Sequence, residues 1–320
     1  MGFLLLVAYG CAPRPVNLVV VTSSVAQTVS LLGDTLYGLP LDPGGGPARV
    51  RRIVAAREAL ARDSSDLTAW LQLGRSTTGM GRLRDAVAIY SRIAEVYFTE
   101  PRVFRERGEV LLRLRRVDAA IADFQKAGVL MIPKGRFLEA LPRGDESDSS
   151  AIPRLELTTT QYQTFFLLGM ALYCKGENLA AYKVLAEAAG IALTADDLAR
   201  SLLWLFFALR RVGTGSEAWR VLELVQPDWA AETTVPEIKL LRAFKGQLPT
   251  DSIQAQAMGA RGEERALYSY GIAYHLLLKP GREADAELWL ERARSGQDWS
   301  ALVYLAAEAD LARLRGVRMR

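Results

Sequence analysis

An all-α fold, built as a solenoid of antiparallel helix pairs, is what the sequence predicts, on three observations. The stretch AWLQLGRSTTGMGRLRDAVAIYSRIAEV at 69–96 is written again 34 residues later as VFRERGEVLLRLRRVDAAIADFQKAGVL at 103–130. Each copy carries two apolar stripes at helical spacing, broken by GMGR in the first and RLRR in the second, so each is two short amphipathic helices. Neither helix can bury its apolar face alone, and the stacking of successive units supplies the missing partner.

Adding 34 to each number places Trp70 on Phe104, Gly74 on Gly108, Ala86 on Ala120, Tyr90 on Phe124 and Ile93 on Ala127. Glycine and alanine belong where paired helices cross most closely, and aromatics fill the wider gaps between pairs. This period and residue set resemble the tetratricopeptide repeat. The resemblance implies a right-handed α-solenoid over 48–316 whose concave face holds peptides or proteins, and it implies no reaction.

Taken in order, MGFLLLVAYGC at 1–11 resembles a bacterial lipoprotein signal, in which the chain is cut before a cysteine that is then lipidated; Ala8 and Gly10 supply the small residues. That implies export to the periplasmic side of the cell envelope and a membrane anchor on Cys11. Ordinary cleavage after Ala26, or a cytoplasmic chain with an apolar N-terminus packed on the domain, are the alternatives. A membrane span is disfavoured, because Pro13, Arg14 and Pro15 interrupt the run far short of the ~18 apolar residues required. Residues 12–47 read as a Pro/Gly-rich tether with some extended structure, since GLPLDPGGGP at 38–47 suits neither helix nor central strand. DPGGGP lacks the lysine and hydroxyl of a phosphate-binding loop.

Residues 48–128 comprise a capping helix at 48–62 and the two regular units. Helix starts are marked by Asp66, by Thr99 ahead of Pro101, and by Thr194 with Asp197. Residues 129–161 read as an inserted, solvated loop. Its GDESDSS run has carboxylates but not the order of a calcium loop. Over 162–316 the motif degrades without disappearing. Gly169, Ala181, Leu185 and Ala188 repeat the spacing, as do Ala218, Leu222 and Val225 after Gly213, with Phe206 in place of the glycine. PEIKLLRAFKG and TDSIQAQAMGA make an atypical pair. Gly271, Ala286, Leu290 and Ala293 mark the last pair, whose WLERARSG ending is similar to Sel1-like repeats. Residues 299–315 form a closing helix, polar on one side, as a solenoid end requires.

The resemblance also implies which positions of each first helix face the concave side. It assigns to the groove Arg75, Arg102, Arg105, Arg113, Phe166, Met170, Tyr173, Phe207 and Arg210. Arginine-rich ends around an apolar middle suit an extended peptide or helix with acidic and aromatic side chains. The lysine-and-asparagine set with which some relatives clamp a terminal carboxylate is absent.

Composition narrows the chemistry. Hydrophobic residues make up 50% of the 320 residues, too many for a disordered chain. The net charge is +4, and the 33 arginines and 7 lysines form no basic tract interleaved with aromatics, so a nucleic-acid partner is not expected. One histidine, His275, and two cysteines, Cys11 and Cys174, rule out a Cys/His zinc framework and a disulfide scaffold. His275 lies in GIAYHLLL and reads as a packed histidine. The expectation is a peptide- or protein-binding scaffold of the cell envelope with no catalysis, metal or cofactor. The alternatives are a structural subunit of a larger envelope complex and a hydrolase within a helical solenoid.

Overall fold

The structure, a computed structural model, describes residues 25–38, 45–132, 138–143, 154–226, 229, 235–296 and 299–317. Among them run fourteen helices. Helix α1 (Gly45–Arg62) caps the pairs α2 (Leu67–Gly79) with α3 (Leu83–Val96), α4 (Pro101–Arg113) with α5 (Val117–Met131), and α6 (Thr160–Lys175) with α7 (Asn178–Ile191). Next come α8 (Ala195–Val212) with α9 (Gly215–Glu223), α10 (Glu237–Phe244) with α11 (Thr250–Gly259), α12 (Gly262–Leu277) with α13 (Glu283–Arg294), and the closing α14 (Leu302–Leu314). Each pair packs on the next, α3 on α4, α5 on α6 and α7 on α8.

The close crossings fall where the small residues predict. A Cβ on Gly108 would stand 2.8 Å from the Phe124 ring, and one on Gly169 2.5 Å from Leu185 Cγ. Ala86, Ala120 and Ala181 are fully buried. Asp66 and Thr194 cap α2 and α8 by accepting the N–H of Ala69 and Asp197. Before Pro101 the cap is Glu100 rather than Thr99. Helix α1 begins at Gly45, inside the stretch read as unable to hold a helix. Pro47 there falls in the first turn, where its missing N–H would have had no helical partner.

A hairpin lies within the tether, which was expected to hold some extended structure, and another within the expected loop. Within the expected tether, β1 (Ala26–Val29) pairs antiparallel with β2 (Thr35–Tyr37). The hairpin is docked on the solenoid: Thr28 donates to the Leu114 carbonyl at 2.6 Å and Trp299 Nε1 to the Tyr37 carbonyl at 2.7 Å. Within the expected loop, β3 (Leu138–Arg143) pairs with β4 (Arg154–Thr159) in a continuous register from Leu138↔Thr159 to Arg143↔Arg154. RLEL at the start of β4 alternates polar and apolar residues with the period of a strand, whereas LEALPR of β3 carries three apolar residues in a row.

The turn between the helices of a pair needs left-handed backbone. Gly81 supplies it at φ 70°, and Gly176 and Gly213 do so in later pairs. The position equivalent to Gly81 in the second unit is Arg115, held at φ 64°. Its guanidinium reaches Glu308 of α14 at 2.9 and 3.1 Å and the Trp299 carbonyl at 2.8 Å. The backbone N–H of Leu31 donates to the same carboxylate at 3.2 Å. Glu308 therefore ties the N-terminal hairpin, the second unit and the closing helix to one fully buried group.

Candidate functional site

From α6 onward the middle of the inner face is filled by the chain itself. Met170, Tyr173 and Phe207, expected to line an open groove, are fully buried, and Phe166 is nearly so. The chain itself occupies the space, because α14 packs against α6 and α12. Asp310 of α14 accepts from the Tyr270 hydroxyl at 2.7 Å and from Arg211. Tyr173 and Tyr270 share a 2.6 Å hydrogen bond, and the Arg211 guanidinium lies 4.1 Å from the Tyr173 ring centre. The Phe207 ring stands 4.2 Å from Tyr274. Burial pushes the Tyr173 and Tyr270 hydroxyls well above their ordinary pKa, so both stay protonated and able to donate. The apolar middle of the expected groove is thus core: the curvature of the stack brings the closing helix round onto the third unit.

At the N-terminal end the inner face stays open. A cavity of about 440 Å³ lies between α1, α2, α4 and the first turn of α6, with Arg49, Arg52, Arg75, Arg105 and Arg113 set against Glu106 and Glu109. Its geometry begins with a missing side chain. A Cβ on Gly74 would stand 2.7 Å from the Tyr90 hydroxyl oxygen, so only glycine admits that ring. The hydroxyl then donates to Glu106 Oε2 at 3.3 Å. Glu106 Oε1 in turn accepts Arg75 Nε at 2.5 Å and lies 2.9 Å from Arg105 Nη2. Burial pushes the Glu106 carboxyl up, but the charges of Arg105 and Arg75 and the hydrogen bonds from Arg75 and Tyr90 outweigh it and hold the group below its usual pKa. A charged Glu106 therefore fixes two guanidiniums at the wall. Glu109 holds Arg113 at 2.6 Å and Arg105 at 3.5 Å.

Of the residues assigned to the groove from sequence, Arg75, Arg105 and Arg113 come together here. Arg105 is almost buried and braces the wall. Arg102 instead pairs at 2.7 Å with Glu100, the cap of its own helix. Arg210 ends α8 beside the turn at Gly215. Arg49 and Arg52, which the groove assignment missed, enter from the capping helix. Their i, i+3 spacing puts them on one helical face, a signal present in ARVRRIV. Arg49 lies over Gly79, where a Cβ would stand 3.2 Å from its Nε.

Helix pairs in a 34-residue period, crossing at glycine and alanine, decide the architecture. It is an all-α solenoid of antiparallel helix pairs. No protein-family model matches the chain and no curated protein matches it in sequence. Among solved structures, one of MamA matches at 15% identity over 66% of this chain and 100% of that chain, with a TM-score of 0.42. Another of MamA matches at 15% over 64% and 91%, with a TM-score of 0.41. A tetratricopeptide repeat protein from Parabacteroides merdae matches at 12% over 81% and 93%, with a TM-score of 0.48. The solenoid architecture rests on this chain's own helix pairs.

The remaining reactive side chains are set apart from the trough. His275 lines a shallow, mostly apolar cleft with Leu240, Ile253 and Ile272, its ring 6.1 Å from Phe244. Burial and the charge of Lys279 lower its pKa. Cys174 is buried, and burial pushes its thiol up to about 12. Among the described residues no three metal-ligating side chains cluster, and no helix is long and apolar enough to cross a membrane. Cys11 with its apolar run, and GDESDSS, lie outside the described residues.

Proposed function

We propose that the chain is a protein-interaction scaffold whose basic trough holds an acidic, extended segment of a partner protein. The observation that carries the reading is the convergence of five arginines on one open cavity, two of them anchored on Glu106. Guanidiniums already fixed by buried carboxylates lose little freedom when a partner's carboxylate arrives, and the planar fork suits bidentate pairing. The aromatic half of the preference read from sequence loses its support with the burial of Met170, Tyr173 and Phe207. The acidic half remains. Binding of this kind makes and breaks no bond, which favours a scaffold over an enzyme.

The test is fluorescence anisotropy with a labelled peptide of alternating Glu and Gly. Binding is expected at low salt and weakens as salt is added. Substituting Arg49→Gln together with Arg52→Gln removes two charge-assisted donors and should lower affinity by about tenfold or more, with the helical spectrum unchanged. Unaltered affinity in that variant would sink the proposal. Placement in the cell envelope is a separate reading, supported by the apolar run that ends at Cys11. Intact-mass analysis of the protein from its native host should show a lipidated Cys11 at the N-terminus, and an unmodified chain from Met1 would exclude the anchor.

A further inference from the structure

An open cavity of about 660 Å³ lies where the N-terminal hairpin meets the start of α3 and the α4–α5 turn. It shares no lining residue with the trough. Part of its lining is apolar: Val29, Leu31 and Leu32 of the hairpin, Leu114 of the turn, and Val317. Val29 and Val317 are 53% and 42% exposed, so this apolar surface faces solvent. The charged residues lining it are Arg84, Arg115 and Arg116, with no carboxylate among them.

Arg115 is neutralised by Glu308. The other two are not. Arg84 donates Nε to the Gln27 carbonyl at 2.6 Å, a contact that holds the side chain but brings no negative charge. No hydrogen bond or ion pair joins the Arg116 guanidinium to the rest of the chain among the described residues. The acids nearest in sequence are engaged elsewhere: Asp34 with Arg294 at 2.9 Å, Asp85 with Arg82 at 2.6 Å and Asp118 with Lys175 at 3.0 Å. Arg84 lies in the first turn of α3 and Arg116 precedes α5, so the positive helix ends add to their charge. A single exposed arginine is ordinary. Two without counter-charge, beside a concave apolar surface, complement a ligand that is anionic at one end and apolar at the other.

We propose that this cavity binds an organic phosphate, its phosphate on Arg84 and Arg116 and its apolar ester group on Val29, Leu32 and Val317. A phosphate brings up to two charges and three acceptor oxygens to two planar guanidinium forks, where a carboxylate brings one charge. The volume falls within the roughly 300–1,000 Å³ of ligand cavities. The ligand bridges the hairpin and the first two units, beside the Leu31 N–H that donates to Glu308. A soluble phosphate ester and a phospholipid headgroup offer the same chemistry, and the experiment separates them.

Octyl phosphate, below its micelle concentration, is titrated against the full chain with labelled methyl groups. Saturable shifts are expected at Val29, Leu31, Leu32 and Val317, which line the cavity. Arg116→Gln should weaken binding by about tenfold with the helical spectrum unchanged, because that guanidinium holds nothing in the fold. Octyl glucoside, which has the chain without the charge, should give no saturable shifts at these methyls. The protein carrying Arg49→Gln and Arg52→Gln should bind octyl phosphate as the parent does, so failure of the trough and failure of this site are distinguishable. Absence of shifts in the parent, equal shifts with octyl glucoside, or unaltered affinity in Arg116→Gln each overturns the site. The source is read by flotation of a Cys11→Ser protein with vesicles. Capture by phosphatidylglycerol but not phosphatidylcholine vesicles, lost in Arg116→Gln, upholds the site as one for a membrane lipid. Octyl phosphate binding without flotation upholds it as one for a soluble ester.

Discussion

Replacing Arg115 by glycine sets two structural effects against each other. The backbone there is left-handed, at φ 64°, which costs an L-residue about 1–2 kcal/mol. Glycine removes that cost but brings back about 0.5–1 kcal/mol of unfolded-chain entropy, so the relief is about 1 kcal/mol and at most about 1.5 kcal/mol. Against it stands a buried ion pair whose side chains are 3% and 0% exposed. Breaking such a pair by removing one partner costs about 3–5 kcal/mol, because the other charge is left buried and alone. Among the described residues, Glu308 would keep only the Leu31 N–H of its hydrogen bonds. The net expectation is a loss of about 2–4 kcal/mol. Arg115→Ala, which loses the pair and keeps the strain, should be worse still. Arg115→Gly combined with Glu308→Met should recover much of the loss, since no buried charge is then stranded. Urea denaturation followed by circular dichroism measures all four proteins. An Arg115→Gly protein as stable as the parent would show that the ion pair contributes nothing and that the turn simply prefers glycine.

Other outcomes follow from single sites. Gly108→Ala places a methyl 2.8 Å from the Phe124 ring, and this overpacking should cost about 1–3 kcal/mol in the same denaturation assay. Glu237 should make stability fall as pH rises from its unfolded value of 4.5 toward 7, because the folded chain there holds a proton that the unfolded chain has released. The effect is on the order of 3 kcal/mol, and Glu237→Gln should abolish the slope and be the more stable protein at pH 8. Glu106 acts with the opposite sign: its lowered pKa adds stability above its unfolded value, lost as pH falls through the lower folded value. Glu106→Gln should therefore flatten the acid limb of the stability profile. Cys174, sealed and pushed up to about 12, should not react with a thiol reagent at pH 8 in a Cys11→Ser protein until denaturant is added. Prompt reaction would mean that α6 opens readily.

What the sequence determined by itself was local and periodic. Gly74, Gly108 and Gly169 each announce a close crossing because one glycine per unit, followed sixteen residues later by Tyr90, Phe124 or Leu185, is a contact within a single helix pair. Asp66 and Thr194 mark their helix starts for the same reason, since a cap bonds three residues away. Trough arginines at 75, 105 and 113 were legible because repeat phase alone sets which way a first helix points. The tertiary structure decided what depends on contacts far apart in the chain. Phase correctly turns Met170, Tyr173 and Phe207 inward, but inward becomes core once α14 arrives with Asp310, 137 positions after Tyr173. No pattern within a unit encodes the accumulated curvature of six pairs. Extended structure at 26–37 was legible but its pairing and docking were not: the strands are short, and the hairpin is held by Leu114, Trp299 and Glu308, partners that a local reading cannot supply. Glu237 in a sequence is one glutamate among many. Only the fold buries it and pushes its carboxyl up to about 7.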